Sequence, residues 1–145
     1  MQKDPTYSDI FSEVNQFLKS RISFCEKNGI IKERLFVDPG FGFGKTFEDN
    51  IKLFNSINKF EMNDVPLLIG FSRKSMIKKI VDGKKELICG LGSYMAVKGI
   101  IAGARVIRTH DVKETVVALN KGKSEMMLEE KLFYPLVGEF GFYEG

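Results

Sequence analysis

The chain has 145 residues, of which 43% are hydrophobic and 28% are charged, and this balance predicts one globular domain with its own core. Its net charge of +3 is mild and its basic residues are interspersed with acidic ones, which argues against a nucleic-acid partner. No apolar run approaches the roughly 18 residues of a membrane-spanning helix, and the first residues lack the apolar segment of a signal peptide. We therefore expect a cytoplasmic protein without a nucleic-acid or membrane partner.

The first predicted element is a helix that follows a cap at Ser8 and runs to about Asn28. Gly29 suits the residue that ends such a helix. Cys25 and Cys89 have no C-x-x-C spacing, so we predict two reduced residues in or near the core, with no disulfide or metal. The apolar positions of this helix recur at helical spacing and predict one inward face: Ile10, Val14, Phe17, Leu18, Ile22 and Cys25.

Residues 35–45, L-F-V-D-P-G-F-G-F-G-K, are the most informative stretch. The apolar start predicts a short buried strand that carries Asp38 to its carboxyl end. Three glycines then let the backbone turn through positive φ and approach a ligand, while Phe41 and Phe43 offer aromatic faces to a planar group. A carboxylate among rings suits a flat heterocycle rich in N–H donors. The alternative interpretation is a glycine-rich turn with two core phenylalanines.

Two further strands are predicted, each followed by polar residues. A helix over 47–60 precedes the strand at 67–71, which is apolar throughout and ends in Ser72-Arg73-Lys74-Ser75. A short helix over 75–81 and a helix over 87–102 follow, the latter rich in small residues that allow close approach to a sheet. The strand at 105–107 ends in Arg108-Thr109-His110-Asp111, and a helix runs from 112 to about 119.

The alternation of strands and helices predicts an α/β fold with parallel strands. Because the carboxyl ends of parallel strands meet at one edge, we expect one pocket that combines an acid, an aromatic ring and groups that bind anions. Taken alone, a lone histidine is more often structural and the 72–75 segment resembles a solvated basic turn. The residues expected in the pocket are Asp38, Phe43, Lys74, Ser75, Arg108 and His110.

In their order and spacing, segments 38–45, 72–75 and 108–115 resemble the dihydropteroate synthase family, and the resemblance covers roughly residues 1–119. It implies the carboxyl-terminal three β/α units of a TIM barrel. Residues 1–120 would then form a partial barrel that binds a pterin, and 121–145 a tail that the resemblance does not cover. Three strands are too few to close a barrel, which takes eight.

The resemblance implies a transferase of folate biosynthesis, a target of sulfonamides. That family joins 6-hydroxymethyl-7,8-dihydropterin diphosphate to 4-aminobenzoate and releases pyrophosphate with help from Mg²⁺. By resemblance, Asp38, Lys74 and Arg108 are expected to be catalytic. The same resemblance implies a larger set of substrate-binding residues: Asp38, Gly42, Phe43, Arg73, Lys74, Ser75, Arg108 and His110. No metal ligand is expected in this chain, because the family's main Mg²⁺ ligand belongs to the front half of the barrel.

The shortfall of strands leads us to expect that the isolated chain is inactive unless a second polypeptide supplies the front half or a second copy pairs with it. Two alternatives remain. A related pterin-binding methyltransferase is disfavoured by the combination of Ser72-Arg73-Lys74-Ser75 with Arg108-x-His110. A non-catalytic half-barrel, with residual pterin or anion binding and a role in assembly, is not distinguished by composition.

Overall fold

The computed structural model describes residues 8–62 and 64–125, with side chains up to residue 122. Its helices and strands follow one another as α1 (Ile10–Lys27), α2 (Phe47–Asn55), β1 (Leu68–Ile69), α3 (Ser75–Ile80), α4 (Ile88–Ile101), β2 (Val106–Ile107) and α5 (Val112–Glu125). Short 3₁₀ turns occupy Lys32–Arg34, Ile57–Lys59 and Lys85–Leu87. Among the helices of the described residues, none is long and apolar enough to cross a membrane.

Three chain segments lie side by side and parallel, which confirms the predicted α/β class. Val37 forms an isolated parallel bridge with Leu67, and β1 pairs with β2 with Ile69 opposite Ile107. The segment of β1 is therefore the middle one. The first strand is shorter than predicted, a single bridge, because Pro39 has no N–H for a ladder and Gly40 turns away at φ 75°. The strand count of a partial barrel is not established by these segments alone.

Helix α1 begins one residue later than predicted and buries a narrower face. Asp9 is its N-cap, with a side-chain oxygen that accepts from the Ser12 N–H, while Ser8 donates to Glu13 instead. Ile10, Leu18 and Ile22 are buried, but Phe17 is 61% exposed. Phe17 is wrong as an inward residue because it lies about 100° around the helix from Leu18. Gly29, at φ 83°, follows the end of the helix as expected.

Helix α4 packs against the sheet through one glycine. A Cβ at Gly99 would collide with the Cδ1 atom of Ile69, whereas Gly90 and Gly92 have nothing within 4 Å of such an atom. The predicted close approach is therefore confirmed at Gly99 and is wrong for the glycines of the first turns. Both cysteines are free and half-buried, as predicted.

Two predicted helix ends differ from the structure. The helix expected over 47–60 is interrupted at Ser56 and continues as the Ile57–Lys59 turn, although its inward residues Leu53 and Ile57 are buried. Helix α5 reaches Glu125, beyond the expected end near Leu119, so the predicted boundary at 120 and 121 falls inside a helix. Residues 126–145 of the predicted tail lie outside the described residues, and its separation from the barrel stays a prediction.

Candidate functional site

Asp38 and Arg108 meet across the carboxyl ends of the parallel segments. The Arg108 Nη2 lies 3.0 Å from the Asp38 Oδ2, although the two residues belong to the outer segments and β1 lies between them. The strand register explains the contact. Ile69 lies opposite Ile107, so the next residue of the middle segment, Gly70, lies beside Arg108. A Cβ on Gly70 would lie 3.2 Å from the Arg108 Nε. The absent side chain therefore lets the guanidinium cross the middle segment.

The loop after Asp38 is built from glycines with positive φ. Gly40, Gly42 and Gly44 have φ of 75°, 79° and 58°, conformations that side chains with a Cβ rarely adopt. The Gly40 N–H donates to the Asp38 Oδ1 at 2.8 Å, so both carboxylate oxygens are engaged. Phe41 is completely buried, which makes it a core residue rather than an aromatic face for a ligand. Phe43, by contrast, is 60% exposed.

Two side chains, Lys45 and Asn50, hold this loop in place through hydrogen bonds to its backbone. The Lys45 Nζ donates to the carbonyl oxygens of Gly40 at 2.7 Å and Phe43 at 3.0 Å. The Asn50 Oδ1 accepts from the Gly42 N–H at 2.8 Å, and its amide donates to the Thr46 carbonyl at 2.7 Å. Burial lowers the pKa of Lys45, an effect that the nearby Asp38 and Asp49 carboxylates oppose. Lys45 and Asn50 therefore fix the loop conformation.

Lys74 reaches into the same loop from the end of the middle segment. Its Nζ donates to the Phe41 carbonyl and lies 4.6 Å from the centre of the exposed Phe43 ring, a cation–π contact. Burial lowers the pKa of Lys74; the Asp38 carboxylate opposes the shift, and Arg108 and Lys45 add to it. The site thus holds a lysine and an arginine around one carboxylate, a balance that favours an anionic ligand.

A second polar cluster lies beside this one, around Ser72. The buried Ser72 Oγ accepts from the His110 N–H at 3.1 Å and lies 3.0 Å from the His110 Nδ1. Arg73, at φ 56°, donates to the Asp111 Oδ1 at 2.6 Å. This hydrogen bond lowers the pKa of Asp111, and partial burial opposes it. Arg73 is therefore bound to Asp111 rather than to the loop.

The structure brings together most of the residues that the sequence predicts. Asp38, Gly42, Phe43, Lys74 and Arg108 form one contiguous group. His110 lies beside it through Ser72, and Ser75 is exposed at the start of α3. Sequence reasoning missed the roles of four residues that position the site: Lys45, Asn50, Gly70 and Asp111. Gly70 carried a signal, since it is the one glycine within the predicted strand at 67–71.

The described residues do not fit a magnesium site. Asp38 is paired with the Arg108 guanidinium, whose positive charge opposes a cation at that carboxylate. Cys89, Asp111 and Glu114 place their ligand atoms within 4.8 Å of one another, but Mg²⁺ prefers oxygen ligands in octahedral geometry, and a thiol does not serve. Asp111 is in addition bound by Arg73. Burial also raises the pKa of the Cys89 thiol, so it resists the deprotonation that metal binding needs.

Two cavities lie away from this edge of the sheet. One, of about 490 Å³, is lined by residues that precede β1 and β2, including Pro66 and Arg105. The other, of about 470 Å³, lies between the start of α1 and helix α2, next to Asp9 and Lys52. Neither of these two cavities is lined by the strand-end residues Asp38, Lys74 and Arg108.

The family description "Pterin binding enzyme" matches residues 1–110. The chain belongs to this family. The dihydropteroate synthase of Escherichia coli K12 is 42% identical over 135 residues, which cover 92% of this chain and 48% of that protein. The enzyme of Neisseria meningitidis serogroup C is 42% identical over 121 residues, 82% of this chain and 43% of that protein. The Escherichia coli match extends past residue 119. The expectation that the resemblance covers only about residues 1–119 is therefore wrong.

Solved structures of dihydropteroate synthases share the fold. The enzyme of Stenotrophomonas maltophilia superimposes with a TM-score of 0.83 at 34% identity, covering 89% of this chain and 49% of that one. The Xanthomonas albilineans enzyme in complex with 7,8-dihydropteroate gives 0.80 at 36% identity, covering 86% and 48%. A Yersinia pestis structure with a sulfonamide drug complex gives 0.81 at 35% identity, covering 88% and 47%. The chain therefore spans about half the length of the relatives it matches.

Proposed function

We propose that this chain is the carboxyl-terminal half of a cytoplasmic dihydropteroate synthase. The complete enzyme would condense 6-hydroxymethyl-7,8-dihydropterin diphosphate with 4-aminobenzoate to give 7,8-dihydropteroate and pyrophosphate. The observation that carries the proposal is the Asp38–Arg108 pair at 3.0 Å, held over Gly70. Relatives of that name, and Xanthomonas albilineans structures with 7,8-dihydropteroate and with 4-aminobenzoic acid, support it.

The reaction requires opposite charges on the two sides of the reacting carbon. The amine nitrogen of 4-aminobenzoate forms a bond to the methylene carbon of the pterin, and the carbon–oxygen bond to the diphosphate breaks. The electron pair leaves with pyrophosphate, and the nitrogen releases a proton. Positive charge therefore develops on the pterin side and negative charge on the leaving group, and preorganised groups of opposite sign lower such a barrier.

Asp38 supplies the negative charge. Its carboxylate is oriented by the Gly40 N–H, so it offers a fixed acceptor to the N–H donors of the pterin ring and stabilises the developing cation. Lys74 lies beside it, tethered to the Phe41 carbonyl, and binds the polar edge of the pterin. Gly42 leaves room for the Lys74 chain, since a Cβ there would lie 3.0 Å from the Lys74 Cδ.

Arg108 and His110 supply the positive side. The Arg108 side chain is 55% exposed, so N–H groups of the guanidinium face outward to hold the departing diphosphate in a fork. Phe43, exposed above Lys74, Ser75 and Arg73 shape the 4-aminobenzoate side. Magnesium would enter with the diphosphate and take its protein ligands from the part of the enzyme that this chain does not contain. No step of the proposed mechanism depends on a metal held by these residues.

A complete barrel needs further strands beside the three parallel segments described. The outer sides of the Val37 segment and of β2 have no neighbouring strand among the described residues, and free strand edges invite pairing. We propose that a second polypeptide, or a second copy of the chain, lies there in an active enzyme. A half-barrel that binds pterin or anions without turnover is the competing function.

The test measures pyrophosphate release by the full chain, alone and mixed with the amino-terminal half of the Escherichia coli relative. We expect no turnover from the chain alone, and turnover in the mixture that falls about 100-fold or more with Asp38→Asn. Unchanged turnover with Asp38→Asn would remove Asp38 from the mechanism. A stable mixture that binds both substrates without releasing pyrophosphate would favour the non-catalytic half-barrel.

A further inference from the structure

His110 contacts the middle segment through one buried hydroxyl. Because Ile69 lies opposite Ile107, Ser72 and His110 each stand three residues beyond paired positions on adjacent segments. The Ser72 Oγ lies 3.1 Å from the His110 backbone nitrogen and 3.0 Å from its Nδ1. Ser72 is only 9% exposed, while His110 is exposed. The ring nitrogen at the buried side is therefore Nδ1, and Nε2 is the nitrogen on the open side.

The distances around the single hydroxyl hydrogen of Ser72 favour one arrangement of hydrogens in the neutral His110 ring. The hydroxyl has one hydrogen, and it already accepts the His110 backbone N–H. Two acceptors lie near that hydrogen: the His110 Nδ1 at 3.0 Å and the Asp111 Oδ2 at 3.5 Å. The shorter distance favours Nδ1 in the neutral ring. Nδ1 is then an acceptor, and the ring hydrogen must sit on Nε2.

The same hydroxyl also serves the charged ring. When the imidazole is protonated, its Nδ1–H donates to the Ser72 Oγ, and the hydroxyl hydrogen turns to the Asp111 Oδ2. Asp111 is an ionised acceptor there, because its other oxygen is bound to Arg73 at 2.6 Å. Asp111, Ser72 and His110 thus form a hydrogen-bonded chain. When Nδ1 gains or loses a hydrogen, the Ser72 hydroxyl rotates so that Nδ1 keeps a hydrogen-bond partner. In both states Nε2 carries a hydrogen.

We infer that Ser72 is a positioning residue that keeps the Nε2 atom of His110 a permanent hydrogen-bond donor to an oxyanion. The inference rests on the proposed function only for the identity of that oxyanion, the leaving diphosphate. A neutral histidine in water exchanges its hydrogen between both nitrogens, and an acceptor nitrogen turned toward a phosphate oxygen would repel it. Ser72 removes that unproductive form. Ser72 itself touches neither substrate nor the reacting atoms.

The experiment reads the ring directly, because His110 is the only histidine in the chain. Nitrogen-15 NMR of the full chain, labelled at histidine, distinguishes a protonated ring nitrogen from a bare one. We expect the neutral ring to be protonated at Nε2 alone, and Ser72→Ala to return it to a mixture of both forms. A hydrogen on Nδ1 in the wild-type neutral ring, or the same mixture before and after Ser72→Ala, would overturn the inference.

The matched variants separate positioning from packing. Ser72→Thr retains the hydroxyl and should keep the ring hydrogen on Nε2, whereas loss of that state in Ser72→Thr with an intact fold would count against the inference. Ser20→Ala removes an exposed hydroxyl on α1 that donates to the Phe17 carbonyl, and it should leave the imidazole signals unchanged. The wild-type measurement decides the question even where Ser72→Ala fails to fold.

Titration with inorganic pyrophosphate then tests the link to function. We expect pyrophosphate to shift the Nε2 signal, and Ser72→Ala to weaken its binding about 3- to 10-fold, roughly the net contribution of one ordinary hydrogen bond. If Nε2 is protonated as expected but pyrophosphate leaves the ring signals unchanged, the role of His110 in the proposed function fails and the positioning by Ser72 stands. Equal pyrophosphate affinity with and without Ser72 would contradict the positioning role.

Discussion

The contact between Asp38 and Arg108 depends on a residue that has no side chain. Gly70 lies under the guanidinium, with the Arg108 Nε and carbonyl oxygen each 3.2 Å from the place of a Cβ. Both distances are tighter than most Cβ contacts in proteins, and one of them involves backbone, which does not move aside as a flexible side chain does. The position of the Arg108 side chain thus depends on the absence of a side chain at Gly70, on the neighbouring segment.

Gly70→Ala should displace Arg108 and weaken pyrophosphate binding by about 3- to 10-fold, because the guanidinium loses its alignment. Calorimetric titration with pyrophosphate measures the loss. The control is the double variant: in an Arg108→Ala background, Gly70→Ala should have almost no further effect. A full additional loss in that background would show that Gly70 acts by another route.

Asp111 makes the stability of the folded chain depend on pH in the acid range. The Arg73 hydrogen bond lowers its pKa below the ordinary value of 3.8, so it stabilises the folded chain above that value and loses this contribution as the pH falls through the lowered pKa. Because the Arg73 side chain is 57% exposed, the contribution is screened and should stay under about 1 kcal/mol.

Asp111→Asn should therefore lower the free energy of unfolding at neutral pH, and the gap from the wild type should close as the pH falls through the lowered pKa of Asp111. Urea unfolding at a series of pH values measures the gap. Glu33→Gln, which removes an exposed carboxylate on the Lys32–Arg34 turn, is the matched control. A gap that stays constant into the acid range would mean that the charge of Asp111 contributes nothing.

At the residue scale, the sequence predicted which side chains meet but not how they are held. Asp38, Lys74 and Arg108 were found because polar residues after buried strands meet at one edge. The clamp by Lys45 and the crossing over Gly70 depend on loop dihedrals and register, which no local pattern encodes. The glycine-rich stretch offered both Phe41 and Phe43 as aromatic faces, with only Phe43 expected in the pocket, and the turn indeed sends the first into the core and the second outward.

At the scale of elements, α4 shows that small residues in one helix serve different ends. Gly99 faces the sheet, where Ile69 and Phe71 fill the space that a Cβ would need. Gly92 has open space in the same helix. Composition predicted a closely packed helix, but only the direction of each residue decides which glycine is needed. Such directions follow from how the helix is rotated on the sheet, a tertiary property.

Gly99→Ala should lower the free energy of unfolding by about 1–3 kcal/mol through overpacking. Gly92→Ala should raise it by up to about 1 kcal/mol, because alanine favours a helix interior over glycine. Urea unfolding of the two variants side by side measures both signs. Equal effects from both would show that α4 does not rest on the sheet through Gly99.

At the scale of the whole molecule, the surface of α1 carries exposed aromatic side chains. Phe17 and Phe24 are 61% and 53% exposed, and Arg21 stacks on the Phe24 ring at 4.7 Å. Relatives about twice as long share the fold of this half. Exposed aromatic groups on a helix surface favour association.

Phe17→Lys combined with Phe24→Lys should reduce self-association of the full chain, because the pair removes apolar surface and adds charge. Sedimentation over a range of concentrations measures the change. Ser20→Lys adds a charge on the same helix without removing an aromatic ring and serves as the control. Unchanged association in the double variant would assign it to the strand edges instead.

The middle position of β1 has a consequence for how the sheet opens with time. The Leu68 N–H donates to the Val37 carbonyl at 2.8 Å, while the Arg108 N–H donates to the Ile69 carbonyl at 2.9 Å. The first hydrogen bond belongs to the seam with the Asp38 segment, and the second to the seam with β2. Amide hydrogens exchange with solvent only when such a bond opens. The exchange rates of these two amides therefore measure separately how often each strand pairing opens. They also show whether the Asp38 segment or the Arg108 segment separates first from the middle segment.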